Sequence, residues 1–155
     1  MAKTNRLEVN SGKFGTFPQE FRVLPDADAS LSKADSGKLM IIEDVSADRV
    51  YSLPTSALER GLNYKFWYVG DDADGHDFSV DTGSTSNFIK GGVVFLDSDA
   101  SGDNVELVES DGDSNRILKV DTPGAGTEFT MVCDGTKWYL NGQVVSVTTP
   151  AFSDS

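Results

Sequence analysis

A chain of 155 residues is expected to form a single domain that buries about 70% of its unfolded surface, so no disulfide or metal is needed to hold it together. Its 25 acidic and 13 basic residues give a formal net charge of -12, which repels phosphate backbones and argues against nucleic acid as a partner. The one cysteine, Cys133, excludes an internal disulfide framework.

The first 30 residues, MAKTNRLEVNSGKFGTFPQEFRVLPDADAS, show no sustained hydrophobic period, and the polar start lacks the apolar run of a secretory signal. No stretch of the chain approaches 18 consecutive apolar residues, so no membrane partner is expected. Phe14, Phe17 and Phe21 are spaced by Gly and Pro, the pattern of an extended arm whose apolar side chains bury on a partner. The alternative is that they pad the bottom of the domain's own core. Residues 1–30 are therefore read as an arm and 31–155 as the domain.

From residue 31 onward the signal is short and has period two. KLMIIED, DRVYSLP, NYKFWYV, HDFSVD, SNFIK, GVVFLD, NVELVE, NRILKV, EFTMVCD, KWYLNG and QVVSVTT are separated by clusters of Gly, Asp, Asn, Ser and Pro. That punctuation, recurring about every 8 to 12 residues, predicts an all-β chain: an antiparallel β-sandwich or jelly-roll-like barrel. Within PTSALERGL, Ser56 and Glu59 have capping-box spacing and Gly61 suits a stop, which predicts a helix of a turn or two. In YKFWYV, Tyr64, Phe66 and Tyr68 alternate with Lys65, Trp67 and Val69. Both faces are largely apolar, so the strand is expected to be covered on both sides with Trp67 in the core. Asn141-Gly142 predicts a type I′ hairpin and Asp134-Gly135 a second turn, so that 128–148 form a three-stranded meander.

Candidate chemistry is sparse. SVDTGSTSNF places Asp81 in the signature that surrounds an aspartic protease's catalytic carboxylate, but that chemistry needs two carboxylates sharing a proton. The apolar-apolar-Gly segment that should follow is missing: FIKGG lies too close to the motif and VVSVTTPAF holds no glycine. Asp, Gly and Ser are also what a turn between DFSV and SNFIK requires. His76 sits among Asp71, Asp72, Asp74 and Asp77, yet with Gly75 as the sixth position of a calcium loop the first position is Gly70. In DSDASGDNVELVE, Asp97, Asp99, Ser101 and Gly102 are in place, but Val108 stands where the bidentate Glu belongs and Glu109 comes one residue late. That leaves a weak calcium site or a solvated loop tip. Cys133 alternates with Met131 and Phe129, the pattern of a buried thiol. No catalytic, metal or cofactor group is assigned, and the chain is expected not to be an enzyme.

The run LSKADSGKLMIIEDVSADRVYSLPTSALERGLNYKFWYV resembles a pattern common in structural proteins of tailed phages, and GSTSNFIKGGVVFLD and FTMVCDGTKWYLNGQV look like its continuation, so that Leu31 to Phe152 are covered. The resemblance implies a head decoration, or cement, protein made in the host cytoplasm and carried on the outer capsid surface of the virion. Its partners would be the major capsid protein lattice and itself, as a homotrimer at local threefold positions. It transfers no functional residues. DGTKWYLNGQ also looks like the penultimate hairpin of laminin-G and legume-lectin-like jelly rolls, which implies a glycan- or receptor-binding module, as in tail fibres. Trp67, Trp138 and Tyr139 would then stack on sugar rings, unless Trp138 packs inside.

Overall fold

The computed structural model describes residues 19–55, 59–71, 75–99 and 105–155. Among these residues twelve strands form two facing sheets, as the punctuated period-two pattern predicts. β1 (Phe21–Val23), β3 (Leu39–Ile42), β5 (Asn63–Tyr68), β7 (Ile89–Asp97), β8 (Val105–Glu109), β10 (Glu128–Cys133) and β11 (Trp138–Ser146) make the larger sheet, in the order β1-β3-β5-β10-β11-β7-β8. β2 (Ala29–Ser30), β4 (Arg49–Ser52), β6 (Phe78–Asp81), β9 (Ile117–Val120) and β12 (Ala151–Ser153) make the smaller one, in the order β12-β9-β6-β4-β2.

The expected purely antiparallel pairing is replaced by mixed sheets. From β1 to β6 the chain crosses to the opposite sheet at every connection, so successive strands of one sheet run the same way. β1, β3 and β5 are parallel neighbours in the larger sheet, and β2, β4 and β6 in the smaller. Later strands add antiparallel pairs: β10 with β5 and β11, β8 with β7, and β9 with β6 and β12. A crossing between layers leaves the same turn residues in the sequence as a hairpin does, which is why pairing direction is not legible there. β1 and β2 precede residue 31, the expected start of the domain, and Leu24 between them is buried.

The core lies between the sheets and is dominated by rings. Phe78, from the smaller sheet, stacks on Tyr68 (centroids 6.2 Å apart, planes 15° apart) and on Phe129 (6.4 Å, 13°), both from the larger sheet. Phe66 stacks on Phe129 at 5.1 Å, and Tyr64 meets Trp138 at 5.8 Å. Phe129, Met131 and Cys133 all face inward, as their alternation predicts.

Two expectations are corrected. No hairpin forms at Asn141-Gly142: β11 runs straight through as one nine-residue strand whose second neighbour is β7, in parallel. Gly142 is needed there for a close approach, since a Cβ would lie 2.4 Å from both Phe129 Cα and the Glu128 carbonyl oxygen. The other predicted turn, at Asp134-Gly135, does form, spanning 134–137 with Cys133 opposite Trp138, so β10 and β11 make a two-stranded hairpin where a three-stranded meander is expected. Asp134 Oδ1 accepts from Lys137 N (2.8 Å), Thr136 N (2.8 Å) and Thr136 Oγ1 (2.9 Å), and these bonds hold its carboxyl pKa down to about 2.

The second correction concerns Trp67. β5 is central, but only its Tyr64, Phe66 and Tyr68 face is covered; Trp67 is 43% exposed, because the smaller sheet packs on the other side and nothing among the described residues overlies this one. Residues 56–58 of the predicted helix lie outside the described residues, and the helical element described is a single 3-10 turn at Lys33–Asp35.

Phe78→Ala should therefore destabilise the protein by about 3–5 kcal/mol, the range for an aromatic removed from a packed interior. Trp67→Ala should cost only about 1 kcal/mol. Denaturant titration of the two variants tests this; equal losses would contradict the assignment of faces.

Candidate functional site

The outward face of the larger sheet is where this molecule departs from an ordinary water-facing surface. Strand register places its side chains in rows. One row runs Val23, Ile41, Trp67, Glu128, Gln143, Val94 and Leu107; the next runs Phe21, Leu39, Lys65, Thr130 and Asn141. The apolar residues gather at the two ends of these rows and the polar ones in the middle. At the β1-β3-β5 end lie Phe21 (62% exposed), Val23, Trp67 and Val69, with Leu39 and Ile41 half-buried between them. At the β7-β8 end lie Val94, Val105 (64%) and Leu107 (61%). Between them, Lys65 and Glu128 form an ion pair at 3.0 Å.

The β1 corner is held by a buried carboxylate. Asp35, 7% exposed, accepts from Arg22 Nη1 of β1 (2.8 Å), Ser32 N (3.0 Å) and Ser32 Oγ (2.8 Å), with Lys38 Nζ 3.7 Å away. Burial is the largest single influence on this group and opposes its charge. The Ser32 bonds together with Arg22 and Lys38 outweigh it, so the Asp35 pKa lies below the ordinary carboxylate value. Tyr64 donates its hydroxyl to the Ser32 carbonyl (2.8 Å), tying the same turn to the core. Phe21 and Val23 are thus presented on an anchored strand.

Of the three arm phenylalanines, Phe21 is exposed at this corner, while Phe14 and Phe17 lie outside the described residues. Asp81 forms the turn its neighbours suggest: its Oδ1 accepts from Gly83 N (2.6 Å), Gly83 adopts φ +69°, and Arg116 lies 3.8 Å away. His76 Nδ1 lies 3.8 Å from Asp48, with Asp72 and Asp74 outside the described residues. In the other acidic loop Asp99 N donates to Asp97 Oδ1 (3.2 Å), and Ser101 and Gly102 fall outside the described residues. Among the described residues no three His, Cys, Asp or Glu side chains are grouped to hold a metal ion. Cys133 is buried; burial pushes its thiol pKa up, although Gly135 N donates to Sγ at 3.2 Å.

The aromatics nominated for sugar stacking are dispersed. Trp138 is fully buried, while Trp67 and Tyr139 share the outward face. Those two stand opposite Glu128 and Val132 of β10, four residues and two strands apart, or roughly 16 Å. A groove of about 600 Å³ lies beside the β2 edge, and the one charged residue among those lining it, Lys33, is paired with Glu59 at 2.5 Å. The residues that sequence reasoning missed are Val23, Leu39, Ile41, Val105 and Leu107. Their signal was present, because LMII is apolar in both phases of its alternation, one phase facing the core and the other facing out.

No protein-family model matches the chain, and no curated protein matches it either.

Because the folded pKa of Asp35 is depressed, its contribution is complete above the unfolded value near 3.9 and is lost as pH falls through the lower folded value. Asp35→Asn should lower stability at neutral pH by about 1.5–3 kcal/mol. It should also flatten the fall in stability below about pH 4. Denaturant titrations of both proteins across that range decide it; parallel curves would show that Asp35 carries no such role.

Proposed function

We propose that the chain is a virion structural protein of a tailed phage: a decoration protein that binds the outer surface of an assembled head and reinforces it. The observation that carries this reading is the exposed apolar corner of Phe21, Val23, Trp67 and Val69, anchored through Arg22 to Asp35 at the root of the N-terminal segment. Apolar surface concentrated in this way is the mark of a binding surface. The resemblance of Leu31–Phe152 to phage structural proteins supplies the partner, the major capsid protein lattice. The mechanism is mass action. A protein that binds only the assembled shell stabilises it by its binding free energy, about 2.7 kcal/mol per site when free protein is at 100 times Kd. Many copies, each a homotrimer at a threefold position, add up over the lattice.

A glycan- or receptor-binding module is the second reading, favoured by the exposure of Trp67 and Tyr139 on one open face. Their separation of roughly 16 Å is too long for a single sugar ring to bridge, and the burial of Trp138 removes the third ring.

Purified protein added to shells that lack it should sediment with them. Trp67→Asp and Phe21→Asp should each weaken that occupancy at least tenfold, equivalent to about 1.4 kcal/mol. Unchanged occupancy in both variants, or no binding by the wild-type protein, would sink the proposal. Protection of Trp67 fluorescence from acrylamide by an oligosaccharide would favour the second reading.

A further inference from the structure

The larger sheet ends in two open edges, β1 on one side and β8 on the other, and no strand among the described residues pairs with the outer side of either. Backbone bonding shows which groups each edge offers. Ser110 N donates to the Gly91 carbonyl, which makes residues 91 and 110 a bonded pair. In an antiparallel ladder bonded and unbonded pairs alternate, so Val108 and Glu106 bond to β7, while Val105, Leu107 and Glu109 turn their N–H and C=O groups outward. On β1, Leu39 N donates to the Glu20 carbonyl and Leu24 N to the Ile41 carbonyl. The even-numbered residues therefore bond to β3, and Phe21 and Val23 present their backbone groups to the outside.

We infer that β8 pairs with β1 of a second copy of this chain, joining the larger sheets edge to edge. Their patterns match: Phe21 and Val23 on β1, like Val105 and Leu107 on β8, put apolar side chains on the outward face, with Arg22 and Glu106 on the inward one. Direction matches as well. Within one chain β8 runs antiparallel to β1, so rotation about an axis along the strands brings a neighbour's β1 against β8 in the antiparallel sense. The competing arrangement, β8 against β8, would place Glu106 and Glu109 of both copies in one interface, where like charges oppose association. β1, Phe21-Arg22-Val23, holds no carboxylate.

The contact is heterologous, so it closes into a ring or grows into a filament. A pairing of three to five residues buries less than the roughly 800 Å² per partner of a standard interface. A closed ring compensates by holding every copy at both edges. Three copies is the number that the proposed function implies, and only that number rests on it.

The test uses the full chain free in solution. Sedimentation equilibrium should give a discrete trimer, and Leu107→Pro, which removes an outward N–H and leaves the β7 ladder intact, should give monomer with an unchanged circular dichroism spectrum. Because that variant can fail to fold, a second one keeps the native ladder: Val23→Cys with Leu107→Cys should oxidise to intermolecular disulfides between different copies, without reaction at buried Cys133. A wild-type monomer at 100-fold the concentration used for shell binding, or an oligomer in which the cysteine pair never cross-links, would overturn the edge pairing. A cross-linked ring that ignores shells would leave the edge pairing standing and sink the decoration reading. Monomers that still decorate shells would do the reverse.

Discussion

Phe78 fixes the inside of this molecule. It is the smaller sheet's ring that lies flat against Tyr68 and Phe129 of the larger sheet, so the strands bearing these rings can present only one of their two faces to the interior. A slip of one residue in any of them would turn a ring to solvent and a polar side chain inward. The Tyr64, Phe66 and Tyr68 face of β5, the Phe129, Met131 and Cys133 face of β10 and the inward residues of β3 follow from that contact. So does the outward row: once Tyr68 and Phe66 are inside, Trp67 has no choice but to be outside. The site is a consequence of the core.

The all-β class and the inward faces were legible because strand alternation is a local property of sequence. Pairing partners were not, because the same Gly, Asp and Asn clusters serve a hairpin and a crossing between layers. Asn141-Gly142 is the sharpest instance: its composition is that of a type I′ turn, yet the glycine exists to let β10 approach the middle of a straight strand. Trp67 was misplaced for a related reason. A strand apolar on both faces reads as doubly covered, and nothing in the local sequence distinguishes burial by a second sheet from an apolar face left open. Asp35 was missed as an anchor: Ser32 and Lys38 lie only three residues away on either side, but Arg22 reaches it only when β1 docks on β3.

Charge is distributed unevenly. Lys65 and Lys90 balance Glu128 and Glu109 on the outward face of the larger sheet, so the acidity of a chain with net charge -12 resides elsewhere, in loops such as Asp97–Asp99 and Asp111–Asp113. Among residues 1–18, Lys3, Arg6 and Lys13 against Glu8 give +2, leaving -14 for residues 19–155. A basic segment therefore leads into an acidic body at the apolar corner. Acidic bodies repel one another, and that repulsion is weakest where positive and negative side chains are balanced, as on this face.

The alternating course of the first six strands has a consequence for biosynthesis. Each strand from β3 to β6 lies parallel to one already made, so the N-terminal half can be laid down progressively as the chain leaves the ribosome. β5 is different on its far side, because its neighbour there is β10, about sixty residues later. At typical synthesis rates of about 5–20 residues per second, the far edge of β5 stands open for several seconds, with Tyr64 and Phe66 still without their partners on β10. Completing the larger sheet then requires a long-range closure in which the β10-β11 hairpin pairs with β5 and β7. It is a slow kind of step, set by topology rather than by stability.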